Sequence, residues 1–189
     1  VTIVTSKSNL VQAGDFAAVR VHGDVGRLIH LGEELNGDGF GDWEHAIFYA
    51  GGDQDLILEA EPGGAQLRPF HYSVTDVLWS SDNPELALEP AQRAQAMEIA
   101  EKHKGVPYSG LDYLALAAHR VHVPGWTPFW FGDKGHLVSL KTYVAETGHM
   151  ICSQLADQCR LDMGSHLYDD KRWPGFVTPL NLANLILGT

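Results

Sequence analysis

The chain has 189 residues, 44% of them apolar, and a formal net charge of −11 at neutral pH. That length suffices for one compact domain with a full core, and the acidic balance argues against binding a nucleic-acid backbone or anionic lipid. No apolar run approaches the roughly 20 residues that span a bilayer, and the start VTIVTSKSNL lacks the basic residues and apolar run of a signal peptide.

Residues 10–22, LVQAGDFAAVRVH, read as a turn at Ala13–Asp15 followed by a strand of alternating character. Leu28, Leu31 and Leu35 have the spacing of a short amphipathic helix, which Gly32 weakens, and a Gly/Asp-rich loop follows. Two strand-like runs come next, WEHAIFYA at 43–50 and DLILEAEP at 55–62, joined by GGDQ, whose glycines suit the positive φ of a hairpin turn. Alternation puts Trp43, His45, Ile47 and Tyr49 on one face of the first run, and Ile57 and Glu59 on one face of the second. The hairpin therefore brings His45 and Glu59 onto one surface. A third strand is expected in AQLRPFHYS and a fourth in VTDVLWSS.

Pro90, in its favoured first-turn place, opens a helix that runs through AQRAQAMEIAEKHK and stops at Gly105. GVPYSG at 105–110 is a turn, and 111–122 a second, largely buried helix. Residues 123–133 read as a loop dense in aromatics (Trp126, Phe129, Trp130 and Phe131), while 136–146 fits helical periodicity. A helix carrying Cys152 ends at Gly164, and Thr178-Pro179 starts a short closing helix. No repeat, low-complexity tract or linker interrupts 1–189, so a single domain is expected.

Cys152, Leu155, Ala156 and Cys159 fall at i, i+3, i+4 and i+7 of their helix, with Gln154, Asp157, Gln158 and Arg160 on the rest of it. A cysteine is most often a small buried hydrophobe. Cys152, however, sits in the first turn, where backbone N–H groups and the helix dipole favour a thiolate. The two cysteines lie about 10 Å apart along the helix, beyond the ~7 Å reach of a disulfide, so both are free thiols. Free thiols tilt the expected location toward a reducing compartment such as the cytoplasm, without deciding against the cell envelope. Ten histidines form no metal motif: His119 and His122 are three apart but lack a third ligand, and no metal or organic cofactor is expected. A reactive thiol needs a base, and the base needs a polar partner to orient it. Cys152, His45 and Glu59 supply those three roles.

The order of these pieces carries a resemblance: His in WEHAIFYAGG, then LILEAEPGGAQLRPF, GVPYSGLDY, ICSQLADQC and finally VTPLNLANLI. It resembles the circularly permuted NlpC-type papain-like enzymes, the YiiX/YebB-like group most closely and lecithin:retinol acyltransferase-like proteins more distantly, over about residues 11–187. The resemblance implies an α+β, papain-like fold with an antiparallel sheet or small barrel packed against helices. It makes Cys152 the nucleophile, His45 the general base and Glu59 the orienting residue, with Glu61 on the same strand face as its rival. Tyr108 matches a tyrosine that lines the cleft near the cysteine, and Trp43 is placed to line the same cleft; core packing accounts for either equally well. The backbone N–H of Cys152 is a natural oxyanion donor. Two features depart from the pattern: Gln154 stands where relatives commonly carry Glu, and the segment 120–147 is an insertion.

The function expected from this is a cysteine hydrolase cleaving an amide bond through an acyl-enzyme. The resemblance makes peptidoglycan peptides, with γ-glutamyl or isopeptide links, the default substrate class. The alternative is an acyltransferase or lipid (thio)esterase using the same triad on an acyl substrate, supported by the aromatic loop. A non-catalytic binding module retaining the fold is the third reading.

Overall fold

Between the first two strand-like runs the chain reverses through Gly51 and Gly52, both at positive φ (85° and 82°), a conformation that costs glycine nothing. The computed structural model describes residues 10–21, 43–61, 63–107, 129–130, 137–138, 151–168 and 177–189. Five strands form an antiparallel sheet: β1 (Phe16–Val19), β2 (His45–Gly51), β3 (Leu56–Glu61), β4 (Gly64–Pro69) and β5 (Val77–Trp79), in the order β4-β3-β2-β1-β5. No pairing among the described residues joins β4 to β5, so the sheet stays open rather than closing as a barrel. Helices α1 (Pro90–Arg93), α2 (Ala96–His103), α3 (Cys152–Asp162) and α4 (Pro179–Leu187) complete an α+β architecture.

β1 and β2 are buried along their whole length, and so on both faces. On one face Phe16, Ala46, Phe48 and Leu58 pack with Ala96 and Ile99 of α2, Leu155 and Cys159 of α3, and Leu182 of α4. On the other, Ala17, Val19, Ile47, Tyr49, Ile57 and Trp79 form a second cluster. The stretch 70–76, running from one sheet edge to the other, crosses this second face: the Phe70 ring lies 5.7 Å from Trp79, and Phe70 and Tyr72 pack against the cluster. Val74–Asp76 and Ser80–Asp82 form 3-10 turns, so only the middle of VTDVLWSS is strand, and it pairs with β1 rather than with β4.

Two expectations are corrected. The single helix through 90–104 is two: at Gln95 the backbone N–H reaches back three residues to the Gln92 carbonyl (3.0 Å), a tight 3-10 bond that ends α1 and offsets α2. Part of the aromatic loop and of the run 136–146 is strand, since Phe129–Trp130 (β6) pairs antiparallel with Leu137–Val138 (β7). Aromatic and β-branched residues flanking Gly-Asp-Lys-Gly favour that pairing, and helical periodicity over so short a run did not reveal it. On α3 the burial extends to polar residues: Ser153, Gln154, Asp157 and Arg160 all lie within the interior. The expected helices at 28–35 and 111–122, together with His119 and His122, lie outside the described residues.

Buried polar groups on α3 need partners. Arg160 donates to the carbonyls of Leu86 (2.8 Å) and Gly14 (3.4 Å) and to Ser165 Oγ (3.0 Å), tying the helix to the segments around it. Ser153 Oγ donates to the Val177 carbonyl at 2.6 Å, joining the residue after Cys152 to the entrance of α4. That entrance is set by Thr178, whose hydroxyl accepts from the Asn181 N–H, with Pro179 in the first turn. At the other end Asp162 accepts from Lys102 (2.6 Å) and His103 (3.0 Å) of α2. Ser153→Ala strands a buried carbonyl and is expected to cost about 1–3 kcal/mol in urea unfolding. A loss below ~0.5 kcal/mol would show that this bond does not anchor α3.

Candidate active site

Cys152 is the first residue of α3, so its side chain leaves the helix where the dipole is positive. Ile151 precedes it in extended conformation (φ −85°, ψ 165°), and the Gln154 side-chain oxygen accepts the Ile151 N–H at 3.1 Å. Gln154, in a place where the resembled enzymes commonly have Glu, thus serves as the far half of a capping pair that fixes how the chain enters the helix.

His45 is the first residue of β2 and alternates with Ile47 and Tyr49 on the face opposite α3. A side-chain hydrogen bond to Cys152 is among the influences that raise its pKa, which places the ring beside the sulfur. The other ring contact is to Glu59: Nε2 lies 3.3 Å from Oε2. With Nε2 committed to Glu59, Nδ1 is the ring nitrogen left for the sulfur. The pairing Ile47↔Glu59 places Glu59 diagonally across from His45, which is how the hairpin brings the two together. Cys152, His45 and Glu59 therefore form one connected chain of side chains.

The electrostatics point one way. Burial works against a charged imidazole, but the Cys152 thiolate and the Glu59 carboxylate outweigh it and push the His45 pKa up to about 10. At neutral pH the imidazole is therefore held in its charged form beside the Cys152 sulfur. Raising pH through about 10 removes the imidazolium proton, and with it the pair's contribution to stability. Cys159, by contrast, is a thiol pushed well up, first by burial and then by Asp162. Both cysteines pack in the hydrophobic cluster on the helix face of the sheet.

Glu59 has no solvent exposure. Burial alone would raise its pKa, yet hydrogen bonds from His45 and Tyr72 hold it below the ordinary carboxylate value. Tyr72 Oη donates to the same Oε2 that faces His45, at 2.6 Å, a short charge-assisted bond. Oε1 faces Arg68 Nε at 3.3 Å and His71 Nε2 at 3.9 Å. Glu61, the rival for the orienting place, instead binds Arg68 at 2.9 Å. Tyr72, Arg68 and His71 escaped the sequence reading, though the signal for Arg68 was present: Gln66 pairs with Glu59, and alternation along β4 puts Arg68 on that same face. Tyr72 carried no such signal, because it reaches Glu59 from the crossover.

Trp43 lies just before β2, half-buried, with the Arg20 guanidinium 4.6 Å from its ring centroid. Tyr108 lies outside the described residues. Cys152 is 1% exposed and His45 7%. Among the described residues no group of His, Cys, Asp or Glu is arranged to hold a metal ion, and no helix is long and apolar enough to cross a membrane. No family model and no curated protein matches the chain.

Two outcomes are expected. Iodoacetamide at pH 6 alkylates Cys152 while Cys159 stays unmodified, and His45→Ala slows the Cys152 reaction at least about tenfold. Peptide mapping by mass spectrometry reads both, and equal sluggishness of the two thiols would contradict an activated Cys152. Tyr72→Phe removes a donor that holds Glu59 ionised, so the acid limb of the Cys152 alkylation profile moves to higher pH. A limb in its wild-type place would mean that Tyr72 does not set the charge on Glu59.

Proposed function

We propose that this chain is a cysteine hydrolase with a permuted papain-like fold, cleaving an amide bond through a Cys152–His45–Glu59 triad. The observation that carries the reading is the linked set itself: a thiol at a helix N-terminus bonded to an imidazole whose far nitrogen bonds a fully buried carboxylate. A core cysteine requires none of these neighbours, and burying a histidine and a glutamate to serve one is costly.

The chemistry follows from the geometry. The Cys152 thiolate attacks the carbonyl carbon, forming a C–S bond, and the oxygen takes the negative charge at the N-terminus of α3, where the helix dipole stabilises it. Nδ1–H of His45 gives its proton to the leaving nitrogen as the C–N bond breaks, leaving a thioester on Cys152. Neutral His45 then draws a proton from water, the resulting oxygen nucleophile attacks the thioester, and the thiolate departs beside the restored imidazolium. Glu59 stays ionised throughout, fixing the ring and balancing its charge. Peptidoglycan peptides with γ-glutamyl or isopeptide links are the substrate class the resemblance favours. Transfer of an acyl chain would share each step up to the thioester and differ in the acceptor.

The test compares cleavage of a γ-glutamyl-diaminopimelate peptide with turnover of a fatty-acyl thioester. Peptide cleavage that falls about 10³-fold or more in Cys152→Ala and in His45→Ala is the expected result. Thioester turnover without peptide cleavage would replace the reading by an acyltransferase or esterase. Inertness toward both would leave a binding module.

A further inference from the structure

We propose that Arg68 is a positioning residue of this site: held by Glu61, its guanidinium supplies the positive charge that keeps Glu59 ionised while His45 alternates between its charged and neutral forms. The inference rests on the triad reading above. It begins from a count of charges. A thiolate and a carboxylate share one imidazolium, which leaves one buried negative charge uncompensated, and a carboxylate with no solvent exposure does not stay ionised without a cation nearby.

Among the described residues, the groups that bond or charge-pair with Glu59 come from three elements. His45 of β2 and Tyr72 of the crossover share Oε2, at 3.3 and 2.6 Å. Oε1 accepts no hydrogen bond from the described residues; what it faces is charge, Arg68 Nε of β4 at 3.3 Å and, more distantly, His71 Nε2 of the crossover at 3.9 Å. Arg68 is anchored apart from this contact, since its terminal nitrogen binds both Glu61 (2.9 Å) and the Gln66 side chain. The demand on Arg68 is greatest midway through turnover. Once His45 has given its proton to the leaving group, the imidazole no longer offsets Glu59, and Arg68 is the permanent cation in contact with it. If Glu59 took up a proton at that stage, the ring would lose the charge that draws the next proton back to His45.

The experiment follows Cys152 alkylation by iodoacetamide against pH, resolved from Cys159 by peptide mapping, in the wild-type chain and in Arg68→Gln, Arg68→Lys and His71→Asn. Removing a cation raises the pKa of thiolate and carboxylate alike. The acid limb of Arg68→Gln is therefore expected about one pH unit higher, roughly a tenfold slower reaction on that limb. That is the low end for charges in contact, because the Arg68 side chain is 32% exposed. Arg68→Lys returns the limb toward its wild-type place, and His71→Asn moves it less than Arg68→Gln does. Thermal melts confirm that each variant is folded; should Arg68→Gln fail, Arg68→Met removes the same charge while keeping an apolar stem. An unmoved limb in the folded charge-loss variant, a shift that Lys does not reverse, or a larger shift in His71→Asn overturns the inference. Alkylation needs no substrate. Wild-type protein with the expected profile that hydrolyses no amide would sink the function reading and leave the role of Arg68 standing.

Discussion

A carboxylate sealed from water in the middle of a sheet is the constraint on which the rest of the site depends. Glu59 would cost the fold dearly as an isolated charge, and the protein answers with two hydrogen-bonding partners, a histidine on the neighbouring strand and a tyrosine on the crossover, and with the charge of an arginine on the strand beyond. Those contacts explain more than the charge state of one residue. They fix the His45 ring, the ring addresses the sulfur of Cys152, and the sulfur lies where the α3 dipole favours an anion. The electrostatic chain runs from a solvent-facing Glu61 to a thiol in the interior.

The scaffold holds that chain taut because the sheet is packed on both faces. The helices cover one side and the 70–76 crossover the other, so neither His45 nor α3 has room to drift independently. His45 belongs by alternation to the face away from α3 and stands at the very start of β2. Burial has a second effect, since a site this enclosed strengthens each charge interaction within it.

α3 is unusual in needing polar residues to be buried. Its apolar face packs on β2 and β3 as an amphipathic helix should, while Ser153 and Arg160 secure the opposite side to backbone carbonyls of the segments around it. Such bonds add little net stability when satisfied and cost much when broken. Their value is specificity of place: they define where the N-terminus of α3 stops, and so where the sulfur sits relative to the imidazole.

How much of this was legible in the sequence follows from the range of the interactions involved. The glycine turn at 51–52, the strands on either side of it, the Cys152 helix with its stop at Gly164 and the Thr178-Pro179 helix start are all local, governed by φ preferences, capping and periodicity within a few residues. The His45–Glu59 pairing was legible for the same reason, because a short turn sets the register of its two strands. The second buried face, the crossover that delivers Tyr72, and the burial of the polar side of α3 were not. Each depends on segments far apart in the chain, and no local pattern encodes which distant surface will cover a given residue. The sequence alone determined which side chains were chemically able to form a site. Tertiary structure decided that Glu59 rather than Glu61 faces the imidazole and which groups hold its charge, because hydrogen-bond reach and desolvation exist only once the chain has closed around them.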